Sequence, residues 1–149
     1  MTDQRSATRA RQRARELLIK ALYQWQLAGH TFAELSDQFT SMPDFERVDA
    51  DYFRDMLTLV FEDSAALDAL IARQAVRAIE QLDAVGRAIL WLGLAELKYR
   101  DDVPTKVIIN EAVELAKRYG APDSFRFVNA VLDKTAKELT ERSSPTGGQ

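Results

Sequence analysis

The chain has 149 residues, 46% hydrophobic and 29% charged, which is enough apolar material for a globular core and too much for a disordered tail protein. Its 20 Lys and Arg against 23 Asp and Glu leave a net charge of −3, which excludes a uniformly basic nucleic-acid binder but not a local basic patch. With no cysteine and only His30, disulfides, thiolate metal sites, cysteine nucleophiles and a His-rich metal site are all excluded. Arg5, Arg9, Arg11, Arg13 and Arg15 stand against Asp3 in residues 1–15, a local charge of +4; the other 15 basic and 22 acidic residues leave −7 on the remainder. Such a split suggests one surface facing a polyanion.

Hydrophobic spacing is helical nearly throughout, with six Gly and four Pro as punctuation. A first helix is predicted from near Thr8, with Ala14, Leu17, Leu18, Ala21, Leu22, Trp25 and Ala28 at spacings of three and four, and Gly29 as its stop. Arginines at its start oppose the helix macrodipole. A short helix carries Phe32, Leu35 and Phe39, and 40–48, with Pro43, reads as a loop. A third helix starts after Asp49 and carries Tyr52, Phe53, Met56, Leu57 and Val60; Ser64 reads as the cap of a fourth with Leu67, Leu70, Ile71, Ala75, Ala78 and Ile79. The chain should break near Gln81 and Leu82. Asp83 then caps a helix with Ala88, Ile89, Leu92, Ala95, Leu97 and Tyr99, apolar on more than one face and so central. After Asp102 and Pro104, Thr105 opens a helix with Ile108, Ile109, Ala112, Leu115, Ala116 and Tyr119, closed by Gly120 and Pro122. Asp123 or Ser124 caps the last, with Val128, Val131, Leu132, Ala136 and Leu139. The expectation is an all-α, compact seven-helix bundle of two helical halves. Its parts are a basic arm at 1–8, a helical domain at 9–142 and a disordered tail at 143–149.

No catalytic site can be assembled. There is no phosphate-binding glycine loop, since the adjacent Gly147 and Gly148 lie in the tail, and Glu111 and Glu114 have no histidine partner for a di-metal site. A non-enzymatic protein without cofactor or metal is expected. No apolar run approaches the ~18 residues of a membrane span, and no signal-peptide centre is present, so a soluble cytoplasmic protein is expected.

Three groups of residues point to binding. The N-terminal arginines read either as a solvated helix start or as a phosphate-contacting arm, in which Arg11 and Arg15 share a face; the guanidinium fork donates two parallel hydrogen bonds to phosphate. The turn from Gly120 to Phe127 presents backbone N–H groups at a new helix start, with Arg126 adding charge. Phe125 and Phe127 cannot both lie on the face of Val128 and Leu132, so one is either a base-stacking platform or a hydrophobic staple. Tyr23, beside the core face of the first helix, is either a boundary residue or a partner contact.

Taken together, Arg13-Ala14-Arg15-Glu16 with Ala21-Leu22-Tyr23-Gln24-Trp25-Gln26-Leu27, then Tyr52-Phe53-Arg54-Asp55, resemble the NusB family of bacterial transcription antitermination factors. So do Asp102-Val103-Pro104 with Ile109-Asn110-Glu111-Ala112-Val113-Glu114-Leu115-Ala116-Lys117, and Phe127-Val128-Asn129-Ala130-Val131-Leu132-Asp133-Lys134. The likeness covers roughly residues 9 to 140 in order and spacing. It implies an all-helical fold and binding to boxA, a short single-stranded RNA element of nascent ribosomal and phage transcripts. It implies a heterodimer with NusE, the small-subunit ribosomal protein, loaded with other Nus factors onto RNA polymerase to suppress termination in ribosomal RNA operons. Self-association occurs in some relatives, so a homodimer is a further possibility.

Carried over by position, the implied RNA surface holds Arg9, Arg11, Arg13 and Arg15 with Asp123, Ser124, Arg126 and Phe127, Asp123 serving as a cap or a hydrogen-bond acceptor. Tyr23 matches a NusE contact. Gly86 stands where some relatives place a Glu at that interface, and Phe125 where some have a His; Gln12 interrupts a longer arginine run. An alternative is an isolated NusB-like RNA-binding or adaptor domain of the kind that precedes ribosomal RNA methyltransferase domains. The full-length enzyme is excluded by the missing cysteine and strand pattern. A pure adaptor with an inert arginine arm is a third reading, separated from the first by salt-dependent RNA binding.

Overall fold

A computed structural model describes residues 2–74 and 82–143. Among these residues the chain forms six α-helices: α1 (Thr2–Ala28), α2 (Phe32–Thr40), α3 (Ala50–Gln74), α4 (Ala84–Tyr99), α5 (Thr105–Tyr119) and α6 (Ser124–Ser143). A 3₁₀ turn at Pro43–Arg47 occupies the expected loop. The residues group into two compact units, 1–63 and 64–149. The all-α class stands as expected, but the described residues hold six helices rather than seven. The difference lies at Ser64, which sits inside α3 instead of capping a new helix. No glycine or proline occurs between Pro43 and Gly86, so nothing stops the helix where a cap-type residue appears. The expected positions Ala75, Ala78, Ile79 and Gln81, and the tail beyond Ser143, lie outside the described residues.

In the first unit, α1 begins at Thr2, six residues before the expected start. No glycine or proline interrupts residues 1–28. Arg5 is therefore the only arginine near the first turn, where Asp3 also stands, and the macrodipole has faded by Arg11. Gly29 ends α1 with φ +68°, its N–H donating to the Trp25 carbonyl at 2.9 Å, as a left-handed terminator does. Thr31 caps α2 reciprocally with Glu34: the Glu34 N–H donates to the Thr31 hydroxyl at 3.1 Å, and the Thr31 N–H to the Glu34 carboxylate at 2.8 Å. The Thr31 backbone N–H, then its hydroxyl, hold the Glu34 pKa below its ordinary value. Ala14, Leu18, Leu22, Leu35, Phe39, Tyr52, Phe53, Met56, Leu57 and Val60 are buried. Phe61 stacks on Trp25 at 3.9 Å between centroids and meets the edge of Phe32 at 5.4 Å.

In the second unit, α4 is buried along most of its length, from Ala88 through Glu96. This is the central helix that its many-sided apolar pattern predicts, and α5 and α6 pack on it and on each other. Gly93 lets Leu132 approach α4 closely, since a Cβ there would stand 3.0 Å from both Leu132 methyls. Asp83 caps α4 by accepting the Gly86 N–H at 2.7 Å. Asp68, from the part of α3 in this unit, accepts from Arg87 through both oxygens and from the Trp91 indole at 2.9 Å. These bonds secure the side of α4 with a half-buried, charge-assisted set.

Candidate nucleic-acid and partner surfaces

The start of α1 divides its arginines by depth. Arg9 is exposed, and Arg11 and Arg13 are half-buried. Arg11 reaches Asp49 at 3.4 Å and lies over the Tyr52 ring at 4.1 Å. Asp49 also accepts the Tyr52 N–H at 3.1 Å, capping α3, while its own N–H donates to the Ala10 carbonyl at 3.0 Å. Asp49 thus begins α3 with its carboxylate and ties α1 with its backbone N–H. Arg15 departs from the expectation of a surface phosphate contact. It is 3% exposed, with its guanidinium 5.5 Å from the Tyr52 centroid. Its position one step after Ala14 places it on the core side of the helix, where its long stem packs as an apolar group.

The start of α6 is built by the turn before it. A Cβ on Gly120 would stand 2.5 Å from the Ser124 hydroxyl and 2.7 Å from the Ala116 carbonyl oxygen, so only glycine lets the chain return this closely. Asp123 adopts φ +67°, a left-handed conformation that Asp tolerates better than most residues. It turns the chain into α6, its carbonyl accepting the Arg126 N–H at 3.1 Å and its carboxylate 3.6 Å from the Arg126 guanidinium. Ser124 is half-buried, with its hydroxyl oxygen enclosed. Phe125 and Phe127 are both half-buried, so neither is fully committed to the core. The Phe125 ring has the Arg126 guanidinium 5.3 Å away and the Lys117 ammonium, from the last turn of α5, 5.2 Å away.

Lys117 was not among the expected site residues. The signal for it is tertiary: its ordinary helical position becomes part of the site only when α5 folds back beside α6. Both cations are well exposed and hold exposed carboxylates, Glu114 at 3.6 Å and Asp123 at 3.6 Å. Such ion pairs are weak in water, so a phosphate can exchange into them.

Tyr23 is 40% exposed, as a partner contact requires, and Leu27, four residues on along α1, is 64% exposed. Their i, i+4 spacing places both on one side of the helix, and that spacing was the available signal for Leu27. Gly86 is buried at the start of α4, where a Cβ would meet Leu82 at 2.9 Å. It contributes no side chain, and its N–H is occupied by Asp83. His30 lies beside Glu34 at 3.7 Å.

Residues 12–137 match the NusB family. The chain belongs to the NusB family. A relative in Photorhabdus laumondii, a transcription antitermination protein NusB, is 52% identical over 133 residues, covering 89% of this chain and 96% of that one. The fold agrees with the NusB of T. maritima at a TM-score of 0.75 and 32% identity, covering 85% of this chain and 90% of that chain. It also agrees with a crystal structure of the antitermination factors NusB and NusE in complex with dsRNA, at a TM-score of 0.76 and 26% identity. That match covers 93% of this chain and 99% of the other. Family membership thus rests on nearly the full length of the relatives. Among the described residues, no group of three or more His, Asp or Glu could hold a metal ion, and no helix is long and apolar enough to cross a membrane.

Proposed function

We propose that this chain is a transcription antitermination factor that binds boxA single-stranded RNA as a heterodimer with NusE and promotes processive transcription of ribosomal RNA operons. It acts in the cytoplasm, within an elongation complex containing RNA polymerase and other Nus factors. The observation that carries the RNA reading is the start of α6, where exposed Lys117 and Arg126 flank Phe125 and a half-buried Phe127 follows. Family membership and a structural neighbour holding NusB, NusE and RNA support it. The cations attract phosphate and fall in effect with salt; the rings offer stacking at ~1–3 kcal/mol per base. At the start of α1, Arg9 and Arg13, with Arg11 released from or shared with Asp49, supply further phosphate contacts. Arg15 supports them from below by packing on Tyr52. Asp123 and Ser124 shape the turn, and the Asp123 carboxylate accepts from ribose or base.

NusE docks on the side of α1 that presents Tyr23 and Leu27. With Gly86 buried, the interface at that position relies on shape and neighbouring side chains instead of a salt bridge. Binding to a boxA oligonucleotide and a scrambled control, with and without NusE, tests the proposal. It predicts preference for boxA that tightens with NusE. Equal weak binding to both RNAs in the presence of NusE would reduce the chain to a helical adaptor. An unchanged NusE affinity in Tyr23→Asp would remove that docking surface from the account.

A further inference from the structure

An open groove of about 500 Å³ runs between α5 and α6, lined by Lys106, Ile109, Asn110 and Val113 on one wall and Asn129 and Asp133 on the other, with Thr105 at its end. Lys106, Asn110, Val113 and Lys117 follow one another at four, three and four residues, a single stripe along α5. Phe125, Asn129 and Asp133 form the matching stripe along α6. Lys117 stands 5.2 Å from the Phe125 centroid at the hairpin end, so the two stripes that wall the groove lead on to Phe125 and its flanking cations at the start of α6. From Lys106 to Lys117 the stripe is about 16 Å long at the helical rise, enough for a few nucleotides.

We propose that this groove is a second RNA subsite, which continues the strand held at Phe125 along α5 and α6 toward Lys106. The inference rests on the RNA reading above. Its lining favours the base-bearing side of a single strand. Asn110 and Asn129 are exposed amides, each able to donate and accept on a base edge, as Asn does in bidentate adenine contacts. Ile109 and Val113 give the base faces an apolar floor. Asp133, held by Lys137 at 3.2 Å, repels phosphate but accepts from a ribose hydroxyl or an exocyclic amine. The cations Lys106 and Lys117 stand at the two ends of the α5 stripe, so phosphates are held at the ends and bases and sugars between them. A neutral protein segment would use the apolar floor but would gain little from the cations beside Phe125.

The test uses the full chain with NusE and a boxA RNA trimmed stepwise from each end, comparing wild type with Asn110→Ala/Asn129→Ala. Both residues are exposed, so folding should be preserved, and thermal melting checks this. In wild type, trimming one end is expected to weaken binding about tenfold. The double variant should already have lost that increment and be insensitive to the same trimming, with its salt slope unchanged. Equal affinities of variant and wild type for every RNA length overturn the subsite. If RNA affinity is unchanged while NusE affinity falls, the groove is a protein-docking surface and the inference is overturned. If wild type shows no salt-dependent RNA binding and Arg126→Gln is silent as well, the parent reading fails and carries this one with it. Normal wild-type binding with a silent double variant removes the subsite alone.

Discussion

At the start of α1, arginines meet Tyr52 and Asp49; at the start of α6, Arg126 meets Phe125 and Asp123. Both places pair guanidinium groups with an aromatic ring and a carboxylate. In α1 the ring is fully buried, the carboxylate caps another helix, and Arg15 is enclosed, so much of the cationic charge maintains the fold. In α6 the ring is half-buried, the carboxylate belongs to the adjacent turn, and the side chain of Arg126 is 74% exposed. The same residue types therefore divide into a structural clamp and an accessible cationic surface according to depth. A count of arginines in the first fifteen residues overstates the number available at the surface, since Arg15 is buried.

The strongest way to break this comparison is to remove the buried arginine. Arg15→Ala should destabilise the protein by about 2–3 kcal/mol, through lost packing on Tyr52 and an uncovered core edge. Thermal melting checks it, and an unchanged Tm would mean that Arg15 is not part of the clamp. Gly120→Ala should cost about 1–3 kcal/mol, because the new Cβ collides with the Ser124 hydroxyl and a backbone carbonyl. It should also weaken RNA binding by displacing the start of α6. Asp49→Ala should cost about 1–2 kcal/mol as a lost helix cap. Because Arg11 loses one anionic partner while keeping its contact with Tyr52, RNA affinity at low salt should hold or rise, and a chemical denaturation curve beside an anisotropy titration separates the two effects.

The smallest effect belongs to the cap of α2. The folded-state pKa of Glu34 is lowered by the Thr31 N–H, so its contribution is complete above the ordinary carboxylate value of about 4.3 and disappears as pH falls through the lowered folded value. Glu34→Ala should lower Tm slightly at neutral pH and progressively less on acidification. A pH series of melts checks the sign.

Much of the fold was legible because local signals coincided with helix ends. Gly29, Asp83 and Gly120 each stand at a boundary where the backbone needs them. Ser64 carried the residue type of a cap without a break beside it, and the helix ran through. The start of α1 lies earlier than the apolar spacing predicts because Gln4, Arg5 and Ala7 are helix-compatible but carry no apolar stripe. Depth was the least legible property of the candidate sites. Periodicity sets Leu18 and Leu22 inside, and Arg15 shares their side of α1, but its charge points to the surface and only the packing on Tyr52 shows its depth. Lys117 could not be assigned to Phe125 without the α5–α6 hairpin, since no spacing in one dimension brings them together. The exposure of Tyr23 followed from its position beside the core stripe.

The most direct measurement is the salt dependence of boxA binding, with NusE present, for wild type, Arg9→Gln/Arg13→Gln and Arg15→Gln. The account predicts a log–log slope of about −3 for wild type, if four or five phosphates are met, and a shallower slope for the outer pair. Arg15→Gln should keep the wild-type slope, with its loss appearing in Tm instead. A flat wild-type slope, or a slope that falls only when Arg15 is changed, would contradict the division of the arginines and the RNA surface built on it.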